Sequence, residues 1–329
     1  MGFCTLASDD EGWTREFRIG AMTTLNVSAQ FSTHGSFGVP SAAPGAPGVS
    51  GVNHLYDDGF VRVDSTGDAG GVTSLWGYSN ASQYNAKNQT LTYHSTTATT
   101  INDETKKYES PSAGLDMAYG GKIYQLGSAK IGWELGFQWQ PIGLSDNHTM
   151  AAVAQRTVQQ FTTAGIIVPQ APYSGSATGQ GPVISDVATA LPTENAVAGT
   201  VSGSRKLDGS LYLLRFGPTV NWALLSRLSV SLSAGGAAGL LDERYSFNES
   251  LTFADGSKSN SSGSDGTLNT VFGGYVGATL HVFVQEDADI YVGAQIMSLG
   301  HQRYGVGGHE ANLNMTEGLQ VMAGLHWPF

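Results

Sequence analysis

The sequence is poor in cysteine and in charged residues, and it has no long hydrophobic run. The single cysteine, Cys4, excludes a scaffold stapled by disulfide bonds. Charged residues make up 13% of the chain, about half of the ~25% that is usual for a soluble globular domain. No segment approaches the ~18 consecutive apolar residues of a membrane-spanning helix, so a helical membrane protein is excluded as well.

Basic residues are scarce in particular. The chain has 16 Lys and Arg against 27 Asp and Glu, which gives a net charge of -11. Nucleic acid binding needs a basic surface, so we expect no nucleic acid partner.

The sequence is rich in alternation between apolar and small or polar residues. Every second residue from Leu313 to Phe329 is apolar except Glu317. A period of two over such a length predicts a strand far longer than the usual ~5–6 residues. Eight segments alternate in this way, at 17–31, 113–123, 129–139, 212–222, 228–240, 268–282, 290–296 and 313–329. Alternation also explains why 40% hydrophobic residues give a mean hydropathy of only -0.11.

Glu317 is consistent with a strand that crosses a membrane. Its separation from Phe329 corresponds to roughly 30 Å of height for a strand that rises ~3.3 Å per residue and tilts by ~40°. The apolar band of a membrane barrel is only ~25 Å tall. We therefore expect Glu317 just beyond one interface and Phe329 at the other.

The connections between these segments alternate in length. Short turns are predicted at 126–128, 223–226 and 286–289, a Ser- and Gly-rich loop at 255–266, and long connections near 34–108 and 143–198. Outer-membrane barrels have short periplasmic turns and long external loops. The sequence therefore predicts an all-β fold, a closed antiparallel up-and-down transmembrane β-barrel with eight strands. Strand-like pieces in the long connections leave ten strands as an alternative.

We expect a single barrel domain over residues 15–329, with large external loops near 34–108 and 143–198. Residues 1–14 are predicted to be a periplasmic segment. No signal peptide is recognisable in them, although an exported protein should be made with one.

The terminal Phe329, with apolar residues alternating back from it, resembles the C-terminal β-signal that the barrel-assembly machinery recognises. The strand count and the loop asymmetry resemble the small outer-membrane barrel class of the OmpA and OmpW type. This resemblance covers the eight strands and implies a place in the bacterial outer membrane. The implied partners are outer-membrane lipid, lipopolysaccharide and the assembly machinery, and the implied state is a monomer or weak oligomer. Pro218 departs from the pattern, because a mid-strand proline loses a ladder hydrogen bond unless it sits at a bulge.

Charged residues occupy positions that would face the lumen. The interior of an eight-stranded barrel is just wide enough for side chains to fill, and buried charges must pair. We expect a network of paired side chains, with a polar path or gate for small solutes as the alternative. The predicted lumen residues are Arg18, Asp116, Lys122, Lys130, Glu134 and Arg215.

Aromatic residues lie near the ends of the predicted strands. Such rings suit the headgroup zone, so we expect an aromatic girdle at the interfaces, with core packing in a soluble barrel as the alternative. Its predicted members are Phe17, Phe31, Trp139, Trp222, Trp327 and Phe329.

Four carboxylates cluster in the first long connection, at Asp57, Asp58, Asp64 and Asp68. Calcium takes several oxygen ligands, so this cluster could bind it, although the spacing does not match a D-x-D-x-D-G loop and a solvated loop is the alternative. We expect no other cofactor.

The length of the first two external loops favours a surface protein that displays them. One alternative is a narrow, porin-like channel for small or hydrophobic solutes, as in the OmpW type. Another is a soluble, lipocalin-like ligand-binding barrel, which would bury its aliphatic face. We expect no enzyme, because His301 and His309 have no hydroxyl placed beside them in the sequence.

Overall fold

The computed structural model describes residues 15–33, 37, 50–63, 70–102, 107–175, 181–189, 193–285 and 288–329. Within these ranges the chain is almost entirely β-structure, as the sequence predicted, with a short 3-10 helix at Ala81–Gln83. No helix in the described residues is long and apolar enough to span a bilayer. The predicted periplasmic segment 1–14 lies outside the described residues.

The strands are numbered in chain order. They are β1 (Arg15–Leu25), β2 (Ser28–Thr33), β3 (His54–Tyr56), β4 (Gly59–Val61), β5 (Val72–Thr73), β6 (Trp76–Tyr78), β7 (Tyr84–Asn85), β8 (Thr90–Asn102), β9 (Lys107–Glu109), β10 (Ser112–Leu126), β11 (Ala129–Asp146), β12 (Met150–Thr162), β13 (Tyr173–Ser174), β14 (Ile184–Ser185), β15 (Thr193–Leu225), β16 (Leu228–Phe253), β17 (Lys258–Gln285), β18 (Ala288–Ser298), β19 (His301–Val306), β20 (His309–Asn314) and β21 (Gly318–Pro328).

Eight of these strands pair in a closed antiparallel ring. The order around the ring is β1, β10, β11, β15, β16, β17, β18 and β21, and β21 pairs with β1 again. Phe17 lies opposite Trp327 and Leu25 lies opposite Leu319, so the first strand closes directly on the last. A closed ring leaves no free strand edge, which is what a bilayer requires of β-structure.

The two faces of the ring differ in composition. On β17, Phe272 and Val276 are 71% and 63% exposed, whereas Val271 and Tyr275 are 2% and 3% exposed. Phe216 on β15 also faces outward and is 59% exposed. The outside therefore presents an apolar band. A soluble barrel would have the opposite arrangement, so the lipocalin-like alternative is wrong.

Pro218 is accommodated without a change of register. It pairs with Trp133 on β11, while the pairing with β16 is interrupted at Gly217 and Pro218 and resumes at Thr219 in the same register. The proline therefore sits at a gap in one ladder, where its missing N–H removes no hydrogen bond.

Two predicted strands are each broken at one end of the ring. The end with the tight turn at Gly127 is periplasmic by the loop-length rule, and the other end is external. At the external end, the predicted strand 17–31 turns at Asn26, which has a φ of 62°, and resumes as β2 in another sheet. The predicted strand 313–329 starts only at Gly318, because Leu313 belongs to β20. The exposed Glu317 lies in the turn at this level.

Beyond the ring, the wall continues on the external side as a β-sandwich. The strands β11, β15, β16 and β17 extend past the apolar band, and β15 alone has 33 residues. The predicted loop at 255–266 is wrong, because β17 begins at Lys258 and pairs with β16 from there. Opposite these strands lies a second sheet in the order β19–β20–β2–β9. Residues of both sheets form one apolar core, the sandwich core, which includes Phe31, Leu207, Tyr245 and Leu313.

The two long connections contain strands and fold together. The small sheet β13–β6–β4–β3 joins residues of both connections, and β8 and β12 extend the main sheet beside β15. We call the folded part of these two connections the loop body. Its apolar core includes Tyr56, Trp76, Tyr93, Phe161 and Ile184. The regions predicted as loops are thus largely β-structure within the described residues.

Candidate functional site in the barrel interior

The inward face of the ring brings four predicted residues together. Arg18 lies on β1, Asp116 on β10, Glu134 on β11 and Arg215 on β15, which are consecutive strands of the ring. Inward positions alternate with lipid-facing positions along each strand, so neighbouring strands place these side chains side by side. All four residues are buried, and none is more than 7% exposed.

The four side chains form a closed set of ion pairs, which we call the lumen network. Arg215 donates hydrogen bonds to Glu134 at 2.6 Å and to Asp116 at 2.9 Å. Arg18 lies 3.2 Å from the carboxylate of Glu134 and 3.5 Å from that of Asp116. Each guanidinium thus bridges both carboxylates, so two positive and two negative charges cancel. Such pairing offsets a desolvation penalty of several kcal/mol per ion.

Polar side chains from the far wall complete the network. Gln295 on β18 accepts a hydrogen bond from Arg215 at 3.0 Å, and its amide donates to Gln320 on β21 at 2.8 Å. Tyr275 on β17 donates to Glu134 at 3.0 Å. These three partners were not predicted from the sequence. Their signal was a polar group at an inward position of an alternating strand.

Side chains fill the lumen at the level of this network. A cavity of about 10 Å³ lies between residues that include Arg18, Glu134 and His326. A void needs about 10–15 Å³ to hold one water molecule. The interior therefore leaves room for little more than one water here.

On the external side of the lumen network, the interior becomes apolar. Beyond Arg215, inward-facing residues along β15 include Leu213, Leu211 and Leu207, which are at most 4% exposed. They belong to the sandwich core, where they cluster with residues of the second sheet such as Ala311. Glu243 is a buried exception on β16, but the apolar side chains around it offer a hydrated ion little to replace its water ligands. The sandwich core is thus a second closure of the lumen.

Lys122 and Lys130 lie apart from the lumen network, which corrects their predicted role. Lys130 is exposed, and the Lys122 ammonium donates to Gln125 at 2.7 Å near the periplasmic turn. Both line a cavity of about 320 Å³ at this end of the barrel, together with Glu16. The two lysines are located where the barrel opens to solvent, so they need no buried counter-charge.

Five of the six predicted girdle residues lie on strands of the ring or, for Phe329, directly after one. Phe17 and Trp327 stack with ring centroids 6.2 Å apart, and Phe329 is 64% exposed beside them. Trp222 is half-buried near the periplasmic turn, and Trp139 is 38% exposed toward the external end. Their contact with lipid headgroups stays a prediction.

Phe31 does not belong to the girdle. It is 1% exposed and stacks on Tyr245 in the sandwich core, with ring centroids 6.2 Å apart. The prediction is wrong because the chain turns at Asn26 and takes β2 out of the membrane wall.

The two predicted calcium ligands that the structure describes accept hydrogen bonds from neighbouring protein groups. Asp57 accepts two hydrogen bonds of 2.7 Å from Thr96, and Asp58 accepts one of 2.9 Å from the backbone of His94. Burial raises the pKa of the Asp57 carboxyl above its ordinary value. Since Asp64 and Asp68 lie outside the described residues, the calcium site stays a prediction.

His309, the histidine weighed as a catalytic base, lies in the core of the sandwich. It is fully buried, its ring stacks on Phe247 with centroids 3.6 Å apart, and its Nε2 lies 2.9 Å from Glu249. This arrangement ties β20 to β16 across the sandwich.

A closed antiparallel ring with an apolar outside and a charged inside defines an outer-membrane β-barrel protein. No family model and no curated protein matches the chain. Among solved structures, OprG from Pseudomonas aeruginosa has 9% identity and a TM-score of 0.34, with 97% of each chain covered. Ail of Yersinia pestis, in complex with sucrose octasulfate, has 8% identity and a TM-score of 0.31, with 97% of this chain and 100% of that one covered. The outer-membrane protease OmpT from Escherichia coli has 9% identity and a TM-score of 0.34, with 98% and 99% covered. The fold class rests on the ring and its two faces.

Proposed function

We propose that the protein is a closed outer-membrane barrel that displays a folded β-structure at the cell surface. The observation that supports this is the double closure of the lumen. The charges of the lumen network are fully paired, and the sandwich core fills the interior beyond it. A barrel that is filled in this way serves as an anchor rather than as a passage.

The displayed part is held together by contacts between its segments. In the loop body, the indole of Trp76 donates to the backbone of Pro182 at 2.8 Å, which joins the two long connections. Tyr56 and Tyr93 stack with centroids 4.9 Å apart, and Phe161 packs edge-on against both. A preorganised surface loses less conformational entropy on binding than a flexible loop does. These contacts support a role in surface interaction.

The same proposal implies which partners the barrel contacts. The outward apolar band contacts outer-membrane lipid and lipopolysaccharide, and β21 with Phe329 is the segment that the assembly machinery would recognise. The narrow channel is the second candidate. It would require Arg18 and Arg215 to leave both carboxylates, and the sandwich core to open as well, so the observed contacts oppose it.

Cysteine labelling on intact cells tests the display. In a Cys4→Ser background, Ile167→Cys would place a thiol in the loop body, where Ile167 is 93% exposed. Ser128→Cys is the matched control in the exposed turn after Gly127. A membrane-impermeant maleimide should label Ile167→Cys on intact cells and Ser128→Cys only after the outer membrane is permeabilised. The reverse pattern would refute the orientation and with it the display.

A further inference from the structure

A second cluster of buried polar residues lies inside the ring, closer to the periplasmic end than the lumen network. His281 on β17, Asp289 on β18 and His326 on β21 come from three neighbouring strands. They are 3%, 1% and 5% exposed. Asp289 lies directly opposite His326 in the ladder, so the backbone fixes their side chains against each other.

The imidazoles converge on one carboxylate. The Nδ1 atom of His281 lies 3.1 Å from one oxygen of Asp289, and the Nδ1 atom of His326 lies 2.8 Å from the other. One ligand atom from each of the three residues falls within 4.8 Å of the others. We propose that His281, Asp289 and His326 form a binding site for a divalent transition-metal ion, with zinc as the best-suited candidate. Two imidazole nitrogens and one carboxylate oxygen are a donor set that zinc accepts, with a fourth position left for water or another ligand.

The second ring nitrogen of each imidazole, Nε2, has a polar partner, as is usual for metal-bound histidines. The Nε2 atom of His281 lies 2.9 Å from the hydroxyl of Thr279, and that of His326 lies 3.3 Å from the carboxylate of Glu16. Outer partners of this kind fix the tautomer and the ring orientation, and a carboxylate makes the imidazole a stronger ligand. Here they leave both Nδ1 atoms directed at the proposed ion.

The ligand atoms need to move by up to about 1.4 Å to reach the spacing of a zinc site. Tetrahedral ligands at ~2.0–2.1 Å from zinc lie about 3.4 Å apart. The two Nδ1 atoms are 2.8 and 3.1 Å from different oxygens of Asp289, so these contacts need to lengthen by roughly half an ångström. The widest pair of ligand atoms, up to 4.8 Å apart, needs to close by about 1.4 Å, which is a side-chain adjustment. Binding would replace the protons of these hydrogen bonds with the metal.

Charge and access also suit a cation. His326 lies between the carboxylates of Asp289 and Glu16, and a divalent ion bound at its Nδ1 would take the place of the proton that faces Asp289. His326 and Glu16 line the cavity of about 320 Å³ at the periplasmic end, which supplies an entry path. Arg15, Lys122 and Lys130 line the same cavity, so the fourth position suits water or a small anion.

Calorimetric titration of zinc into the EDTA-treated, folded full chain in detergent tests the site. We expect one zinc ion per chain for the unchanged protein and loss of binding in His326→Asn and in a His281→Asn/His326→Asn double variant. Glu16→Gln keeps all three ligands and should weaken binding by about 10–100-fold, as removal of an outer partner typically does. His301→Asn, which alters an exposed histidine of β19, is the control and should bind like the unchanged protein.

Cobalt in place of zinc gives a second readout, because a site with histidine nitrogens produces visible absorption that the double variant should lack. Heat-modifiable migration in gels would show that each variant is folded. Absence of zinc binding by the unchanged chain would overturn the proposal, and so would binding that survives in the folded double variant.

Discussion

Arg215 donates a hydrogen bond of 2.6 Å to Glu134 across two paired strands, with both side chains almost wholly shielded from solvent. The two residues are 81 positions apart in the chain, yet they are near neighbours on adjoining strands, where Glu134 pairs with Gly217 and Gly136 with Arg215. Their contact links two neighbouring strands on the inner face of the ring. It is the shortest contact of the lumen network.

Removal of one charge from this network should destabilise the barrel. Arg215→Met leaves Asp116 and Glu134 to share one guanidinium, so one buried negative charge is uncompensated. Breaking a buried pair in this way typically costs about 3–5 kcal/mol. The urea midpoint of unfolding in detergent should therefore fall clearly below that of the unchanged protein.

Arg244→Met is the matched control for this change, because Arg244 is exposed on the outer face of β16. Its effect should stay within about 0.5 kcal/mol, as for most surface substitutions. Equal effects of the two variants would show that the lumen network contributes nothing to stability.

The position of Phe31 gives a second prediction. Phe31→Ala removes a fully buried ring from the sandwich core and should cost about 3–5 kcal/mol, the usual range for a buried phenylalanine. Phe272→Ala on the lipid-facing side leaves no internal cavity, so its cost should be smaller. Urea unfolding compares the two, and a greater loss for Phe272→Ala would contradict the burial of Phe31.

The contact between Arg156 and Asp255 predicts a pH dependence outside the membrane. Partial burial raises the pKa of Asp255, but hydrogen bonds from Ser257 and Arg156 and the charge of Arg156 outweigh it and lower the pKa to about 2. The pKa is lower in the folded state than its ordinary value of 3.8. The carboxylate therefore contributes stability above about pH 4, and this contribution is lost as the pH falls toward about 2.

Asp255→Asn isolates this contribution from that of other acids. The thermal midpoints of the unchanged protein and the variant should differ at about pH 6 and converge between about pH 4 and pH 2. The difference should be small, because the Asp255 side chain is 40% exposed and solvent screens it. A gap that stays constant down to about pH 2 would contradict the assigned pairing.

The sequence predicted the membrane wall well because lipid imposes a strict alternation on every strand. The closure of β1 on β21 and the short turn at Gly127 follow from that alternation and from loop length. The breaks at Asn26 and before Gly318 could not be predicted. Ala29 and Phe31 continue the alternation of β1 beyond the turn at Asn26. The sequence pattern is the same whether such residues face lipid or, as here, a protein core.

The external sheets were predicted as loops for a physical reason too. The first part of β15, from Thr193 onward, is rich in Thr, Ser and Gly and shows little contrast between its faces. It is a strand because β12 supplies hydrogen-bonding partners from Thr193 to Val201 and β16 supplies them from Gly199 onward. Pairing between distant segments leaves no local mark in the sequence.

The interior was partly predictable. Arg18, Asp116, Glu134 and Arg215 are charges at inward positions of strongly alternating strands, and charge inside a narrow barrel implies pairing. Lys122 and Lys130 share that alternation, but the sequence does not tell how near a position lies to the open end.

The histidine cluster has even less signal in the sequence. His281 and His326 are separated by 45 positions, and only the order of β17, β18 and β21 around the ring brings them to Asp289. Reading each strand by itself shows a polar inward residue and nothing more.

Single-channel recording shows directly whether the interior of the barrel is closed. The full chain would be incorporated into a planar lipid bilayer at neutral pH, with a general porin in parallel as proof of incorporation. Because the lumen network and the sandwich core close the interior in series, we expect no discrete conductance steps from this protein. Reproducible steps of uniform size, absent from the detergent control, would contradict a closed barrel and favour the narrow channel instead.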